Sequence, residues 1–132
     1  MILAERRPPD PRQRLGRLGE AAAEQVLQRA GLRVLARRFR LRTAEIDLVA
    51  ERADLVVFVE VKARRGDRYG TPAEAVTAVK RRRMARAALA FLSRHGRTDR
   101  RARFDVVEVF VDDSGVRRVR HIEDAFRLER DP

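Results

Sequence analysis

The stretch from Glu45 to Lys62 constrains this chain more than any other. It reads Glu-Ile-Asp-Leu-Val-Ala, then Glu-Arg-Ala-Asp, then Leu-Val-Val-Phe-Val-Glu-Val-Lys. Two runs rich in β-branched residues flank a short polar connection, a pattern that predicts a β-hairpin. Strict alternation puts Ile46, Leu48 and Ala50 on one face and leaves Asp47 on the other. In the second strand Val57, Val59 and Val61 fill one face. Val56 and Phe58 extend the opposite face, which carries Glu60 and Lys62. Both faces are therefore expected to be largely buried, and buried strands do not keep unpaired charges without a reason.

Carboxylates on neighbouring strands with a lysine beside one of them suit a magnesium-and-phosphate site. Mg²⁺ takes hard oxygen ligands and retains several waters. Lysine orients or activates an attacking water and offsets charge building on a phosphate. The competing reading is a solvated strand face, because 39% of the chain is charged and an Asp…Glu-x-Lys string arises by chance at that density. Lysine usage weighs against chance. Of 31 basic residues only Lys62 and Lys80 are lysine, the rest being arginine. A compact ammonium whose proton affinity shifts readily does what a guanidinium does poorly.

At 132 residues the chain has room for one core, and its net charge is +11. Such a balance favours nucleic acid as partner, through phosphate contacts and counterion release. Aromatics make up only 5%, which disfavours a base-stacking platform for single strands. There is no cysteine, and His95 and His121 stand far apart, so zinc chemistry is not expected. No apolar run reaches membrane-spanning length, and residues 1–14 hold arginine and three prolines without an apolar signal core. The expected location is cytoplasmic by default, with no membrane partner.

Taken in order, residues 1–11 read as a disordered basic arm and residues 12–128 as a single domain. A helix is expected over 12–30, ended by Gly31, with Leu15, Leu18, Ala22, Ala23, Val26 and Leu27 as its buried stripe. Glu20 sits at the edge of that stripe, as an ordinary helix glutamate or as a third acid. A strand over 33–40 leads to Arg40 and Arg42, placed to clamp phosphate, and a basic loop over 63–70 follows the hairpin. Thr71-Pro72-Ala73-Glu74 reads as a capping box opening a second helix that leaves at Gly96. Lys80 falls near the centre of that helix's apolar stripe and is expected to point toward the sheet. Arg81, Arg82 and Arg83 form a solvated or DNA-facing ridge. Strands over 104–111 and 116–122 surround a turn at 112–115, and the tail from Glu123 forms at most a short helix. Asp105 is either a further acid or, as strand-end aspartates more often are, structural. His95, near a helix C-terminus, is expected to be a cap or a partner of the helix dipole.

The order helix, three strands, helix, strand, with acid on the first helix, Asp on the second strand and Glu-x-Lys on the third, resembles the restriction-endonuclease-like fold with its PD-(D/E)XK signature. More narrowly, the chain resembles the YraN-type family of predicted endonucleases, akin to archaeal Holliday-junction resolvases. The matching residues are Gly19-Glu20 with Ala23, Arg40 and Arg42, Glu45 to Leu48, Phe58 to Lys62 with Arg64, Tyr69 to Pro72, Lys80, and Arg103 to Val106. The resemblance implies an α/β fold with an αβββαβ core, a mixed central sheet flanked by helices, and metal-dependent endonuclease activity; the kinship with junction resolvases implies selectivity for branched DNA. It implies Glu20, Asp47, Glu60 and Lys62 as catalytic residues, with Asp47 and Glu60 holding Mg²⁺, for which Mn²⁺ substitutes. Arg40, Arg42, Arg64 and Lys80 would contact DNA, and a homodimer would suit cutting of both strands. The alternative is a non-catalytic nucleic-acid-binding module that keeps the fold. The chain departs from the family pattern at Ala44, commonly glycine, and at Arg38, commonly asparagine.

Overall fold

The computed structural model describes residues 10–66 and 76–127. Its elements run α1 (Pro11–Arg29), β1 (Arg33–Leu41), β2 (Ala44–Arg52), β3 (Leu55–Arg65), α2 (Ala78–Arg94), β4 (Arg101–Asp112) and β5 (Gly115–Phe126). The five strands form one sheet in sequential order. Neighbours are antiparallel except β3 and β4, which run parallel. A parallel pair needs a crossover, and α2 supplies it. The result is a mixed α/β sheet with a helix on each face. Against α1 lie Leu48, Ala50, Val57, Val59, Val107 and Val109, packed on Ala23 and Leu27. Against α2 lie Ile46, Val49, Val56, Phe58 and Val106, packed on Met84, Ala87 and Phe91. No helix among the described residues is long and apolar enough to cross a membrane.

Asp10 caps α1, its carboxylate accepting from the Arg12 amide at 2.9 Å, and Pro11 fills the first helical position. Gly31, at φ 81, takes the chain out of the helix as expected. The buried stripe of α1 differs from expectation at its N-terminal half. Leu18 is 44% exposed, and Gly19 is buried instead. A Cβ on Gly19 would stand 2.8 Å from the Ala63 Cβ of β3. The bare glycine lets the helix backbone close onto the sheet beside Glu20, and that close approach turns Leu18 outward.

Several element boundaries differ from the sequence expectation. Residue 76 bends and Thr77 is extended, with ψ 161, so the second helix opens at Ala78. Its cap is Thr77, whose hydroxyl accepts from the Lys80 amide at 3.2 Å. The capping box expected at 71–74 lies outside the described residues, but no helix runs through 76–77. Strand β3 continues to Arg65, where a loop was expected from 63, because β4 pairs with it as far as Arg65↔Val111. Strand β5 likewise runs on to Phe126 in place of a short helix. There Phe126 stacks on Phe104 with ring centroids 4.9 Å apart. The expected basic arm falls mostly outside the described residues.

Asp105 has a structural role that explains the long β5. Fully buried, it accepts from both the Nε and one terminal nitrogen of Arg103, lies 2.7 Å from His121 Nε2, and accepts the Asp124 amide at 3.0 Å. Burial alone would raise its pKa, but His121, Arg103 and the Asp124 amide outweigh burial and hold it below the usual carboxylate value. His95 is the C-cap of α2, with its ring stacked on Phe91.

The glycine packing yields a paired prediction. Gly19→Ala should lower stability in urea melts by about 1–3 kcal/mol, since overpacking outweighs the gain in helix propensity. Gly16→Ala, with nothing within 4 Å of the added methyl, should instead be stabilising, by up to ~1 kcal/mol.

Candidate functional site

The site begins with a break in strand alternation. Ile46 packs on the α2 face with Val49, while Leu48 and Ala50 pack on the α1 face. Strict alternation had put Ile46 with Leu48 and Ala50, so the facing changes at Asp47. The neighbouring strand changes in the same place. Arg37 reaches Glu24 of α1, whereas Phe39 meets Phe91 of α2 at 5.2 Å. Between them Arg38 adopts φ 53, the left-handed region. Arg38 places its guanidinium on Glu20, 3.0 Å away.

The pairing of β2 with β3 ends at the same point, at Leu48↔Val59. Beyond it the Val61 amide donates to the Asp47 carboxylate at 2.8 Å. Asp47 therefore borders two clefts. One, of about 500 Å³, is also lined by Glu45, Glu60, Thr77, Lys80 and Arg83. The other, of about 320 Å³, is lined by Arg12, Gly16, Glu20, Val61 and Lys62. The structure thus gathers Glu20, Asp47, Glu60, Lys62 and Lys80 around one point where β2 and β3 part.

Glu60 is only 5% exposed. Its Oε1 contacts Lys80 Nζ and lies 3.3 Å from Lys62 Nζ. Lys80 does point to the sheet, and what it meets there is a carboxylate. Burial alone would lower the Lys80 pKa; the contact with Glu60 raises it overall. Asp47 behaves oppositely. Burial and the nearby Glu60 charge push it up to about 7, despite the Val61 amide, with Glu20 and Glu45 adding repulsion. An acid poised near neutrality beside a second, ion-paired one marks a candidate functional site.

The expected DNA contacts other than Lys80 lie apart from this centre. Arg40 pairs with Glu45 at 3.1 Å, and Arg42 is exposed in the two-residue turn between β1 and β2. Arg64 turns toward Glu108, a buried carboxylate whose Oε2 is 3.6 Å from its Nε. Arg12, Arg38, Glu45 and Arg83 line or support the site without having been singled out for it. For Arg83 the signal was present, since it follows Lys80 by three residues and shares its helix face.

The donor set can be tested against a divalent cation. Among the described residues no group of three or more His, Asp or Glu side chains is placed to hold a metal. Two carboxylates are nevertheless at hand. The Val61 amide uses Asp47 Oδ2, and both lysine contacts use Glu60 Oε1. One or two carboxylates plus substrate oxygens and water is how proteins commonly hold Mg²⁺, so the residues fit that ion better than a closed structural metal.

Residues 19–109 match the model of the uncharacterised protein family UPF0102. The chain belongs to that family. It is 52% identical over 113 residues to a UPF0102 protein of Symbiobacterium thermophilum, covering 86% of this chain and 96% of the other. A UPF0102 protein of Pelotomaculum thermopropionicum is 43% identical over 118 residues, covering 89% and 98%. One from Geobacter sulfurreducens is 45% identical over 114 residues, covering 86% and 89%. The span matched to UPF0102 starts one residue before Glu20 and includes Asp47, Glu60, Lys62, Lys80 and Asp105.

The Asp47 environment predicts a pH-dependent stability effect. An unfolded chain releases this proton near the ordinary value and the folded chain only near 7. Between those values the native state holds the extra proton, so stability falls as pH rises through the window and the loss is complete above it. Asp47→Asn should therefore stabilise the protein by on the order of 2 kcal/mol at pH 8. At pH 5 the gain should shrink to less than half of that, as read from thermal melts at both pH values.

Proposed function

We propose that this chain is a metal-dependent DNA endonuclease with a restriction-endonuclease-like core, hydrolysing phosphodiester bonds with Mg²⁺ and selective for branched DNA. The observation that carries the reading is the meeting of Asp47 and Glu60 with Lys62 and Lys80 at the parting of β2 and β3. A chain of net charge +11 that only bound DNA would gain nothing from carboxylates in that cleft, where they repel phosphate. The order αβββαβ of the first six elements, α1 to β4, and membership of UPF0102 are consistent with the reading.

In this mechanism Asp47 and Glu60 hold Mg²⁺, and Glu20 adds negative charge from the α1 side. Bound there, the ion supplies Lewis acidity to the phosphate and acidifies water. Lys62 Nζ positions the attacking water and offsets charge that builds on the phosphate oxygens. Lys80 and Arg83 receive the strand at the α2 side of the cleft, and Arg40, Arg42 and Arg64 extend the basic track along which the duplex lies. Cutting both strands requires a second copy of the site, which a homodimer provides.

One observation favours a second reading, a nucleic-acid-binding module without catalysis. Glu60 is already engaged by two ammonium groups, as a purely structural carboxylate would be. The two readings separate in one assay. Labelled duplex, flapped and four-way-junction DNA are incubated with Mg²⁺ or Mn²⁺ and wild type, Glu60→Ala or Lys62→Ala. The endonuclease reading expects wild-type cuts that fall by roughly 10²-fold or more in both variants. Metal-independent binding that Glu60→Ala leaves unchanged or improves, with no cuts by wild type, supports the module.

A further inference from the structure

We propose that Lys80 is a phosphate-operated latch on Glu60, so that nucleic acid and the divalent cation bind with positive cooperativity. The inference rests on the reading above that the cleft receives a DNA phosphate and a metal. Glu60 is nine-tenths or more buried, and its charge is compensated by Lys80 and Lys62 on a single oxygen, Oε1. A buried carboxylate cannot lose such compensation without a large cost unless another cation replaces it.

The two lysines differ in freedom. The Lys62 side chain is 27% exposed and rises from β3 itself, whose backbone is held there by pairing with β4 at Lys62↔Glu108. The Lys80 side chain is 37% exposed and stands in the first turn of α2, its backbone amide held by the Thr77 cap. Its four-carbon stem can swing while its backbone stays fixed. Arg83 presents a second cation to the same cleft, one helical turn along. A phosphate entering there meets two cations on one helix face, and one of them is the partner of Glu60. Once Lys80 turns to the phosphate, Glu60 is left buried and undercompensated beside Asp47, which is the condition under which it binds a divalent cation most strongly. In the free protein Lys80 competes with the cation for the carboxylate. The latch would thus hold the site in a low-affinity state until substrate arrives.

Linkage makes the coupling reciprocal: DNA must raise cation affinity by the same factor by which the cation raises DNA affinity. Two binding measurements on the full chain test this. Mn²⁺ binding without DNA is followed by loss of the free-ion electron paramagnetic resonance signal. Affinity for a short phosphorothioate duplex is followed by fluorescence anisotropy with and without Mn²⁺. For wild type, Mn²⁺ should strengthen duplex binding about tenfold. Lys80→Gln should bind Mn²⁺ without DNA about tenfold more tightly than wild type, and Mn²⁺ should then improve its duplex binding by less than about twofold. Lys80→Arg, which keeps the charge, should retain the weak DNA-free Mn²⁺ affinity of wild type.

The latch is overturned if Lys80→Gln binds Mn²⁺ no better than wild type, or if its duplex binding keeps the full Mn²⁺ enhancement. It is equally overturned if Lys80→Arg behaves as Lys80→Gln does, or if neither wild type nor variant binds Mn²⁺. These outcomes are separate from cleavage. Coupled binding without cuts would sink the endonuclease reading and keep the latch. Cuts by wild type with an unchanged Mn²⁺ affinity in Lys80→Gln would do the reverse.

Discussion

The hydrogen bond from the Val61 amide to the Asp47 carboxylate is the constraint on which the site depends. Continuing the antiparallel register would set Val61 opposite Ile46, but the ladder stops at Leu48↔Val59. A side-chain oxygen takes the amide in place of a backbone carbonyl. Two consequences follow from that exchange. The backbone donor stays satisfied inside the sheet, as a buried donor must be. The two strands also part, which opens room for carboxylates between two helices that pack on opposite faces.

The coordinated change in β1 shows that the break belongs to both strands. Arg38 occupies the left-handed region directly between Arg37, which serves the α1 side, and Phe39, which serves the α2 side. Holding a long side chain there costs on the order of 1 kcal/mol or more. The guanidinium of Arg38 offsets part of this by pairing with Glu20. Gly19 contributes from the other direction, since its missing Cβ lets α1 bring Glu20 down beside β3. Strain and close approach thus converge on the same carboxylates.

Charge is distributed unevenly around them. The chain as a whole is strongly basic, yet its centre holds Glu20, Asp47 and Glu60 together. Lys62 and Lys80 neutralise Glu60, whereas Asp47 gains mainly an amide and moves toward neutrality. Two carboxylates of similar chemistry therefore have different partners. Asp105 is a third case. It is fully buried but surrounded by Arg103, His121 and the Asp124 amide, and its charge secures the long β5.

The sequence by itself determined the hairpin, the first helix with its glycine exit, the acid and lysine identities, and the inward direction of Lys80. Those follow from short-range periodicity and residue chemistry, which a linear pattern records. It was less informative about the start of α2 and the reach of β3 and β5, because pairing with β4 extends strands through arginine-rich residues whose local preference is weak. Only the tertiary structure decided that alternation breaks at Asp47, that Gly19 is buried in place of Leu18, and that Lys80 meets Glu60. Each of these depends on a contact between separate elements: β2 with β3, α1 with Ala63, and α2 with β3. A period-2 pattern carries no mark of where a neighbouring strand lets go, so the site's geometry became visible only when the strands were assembled.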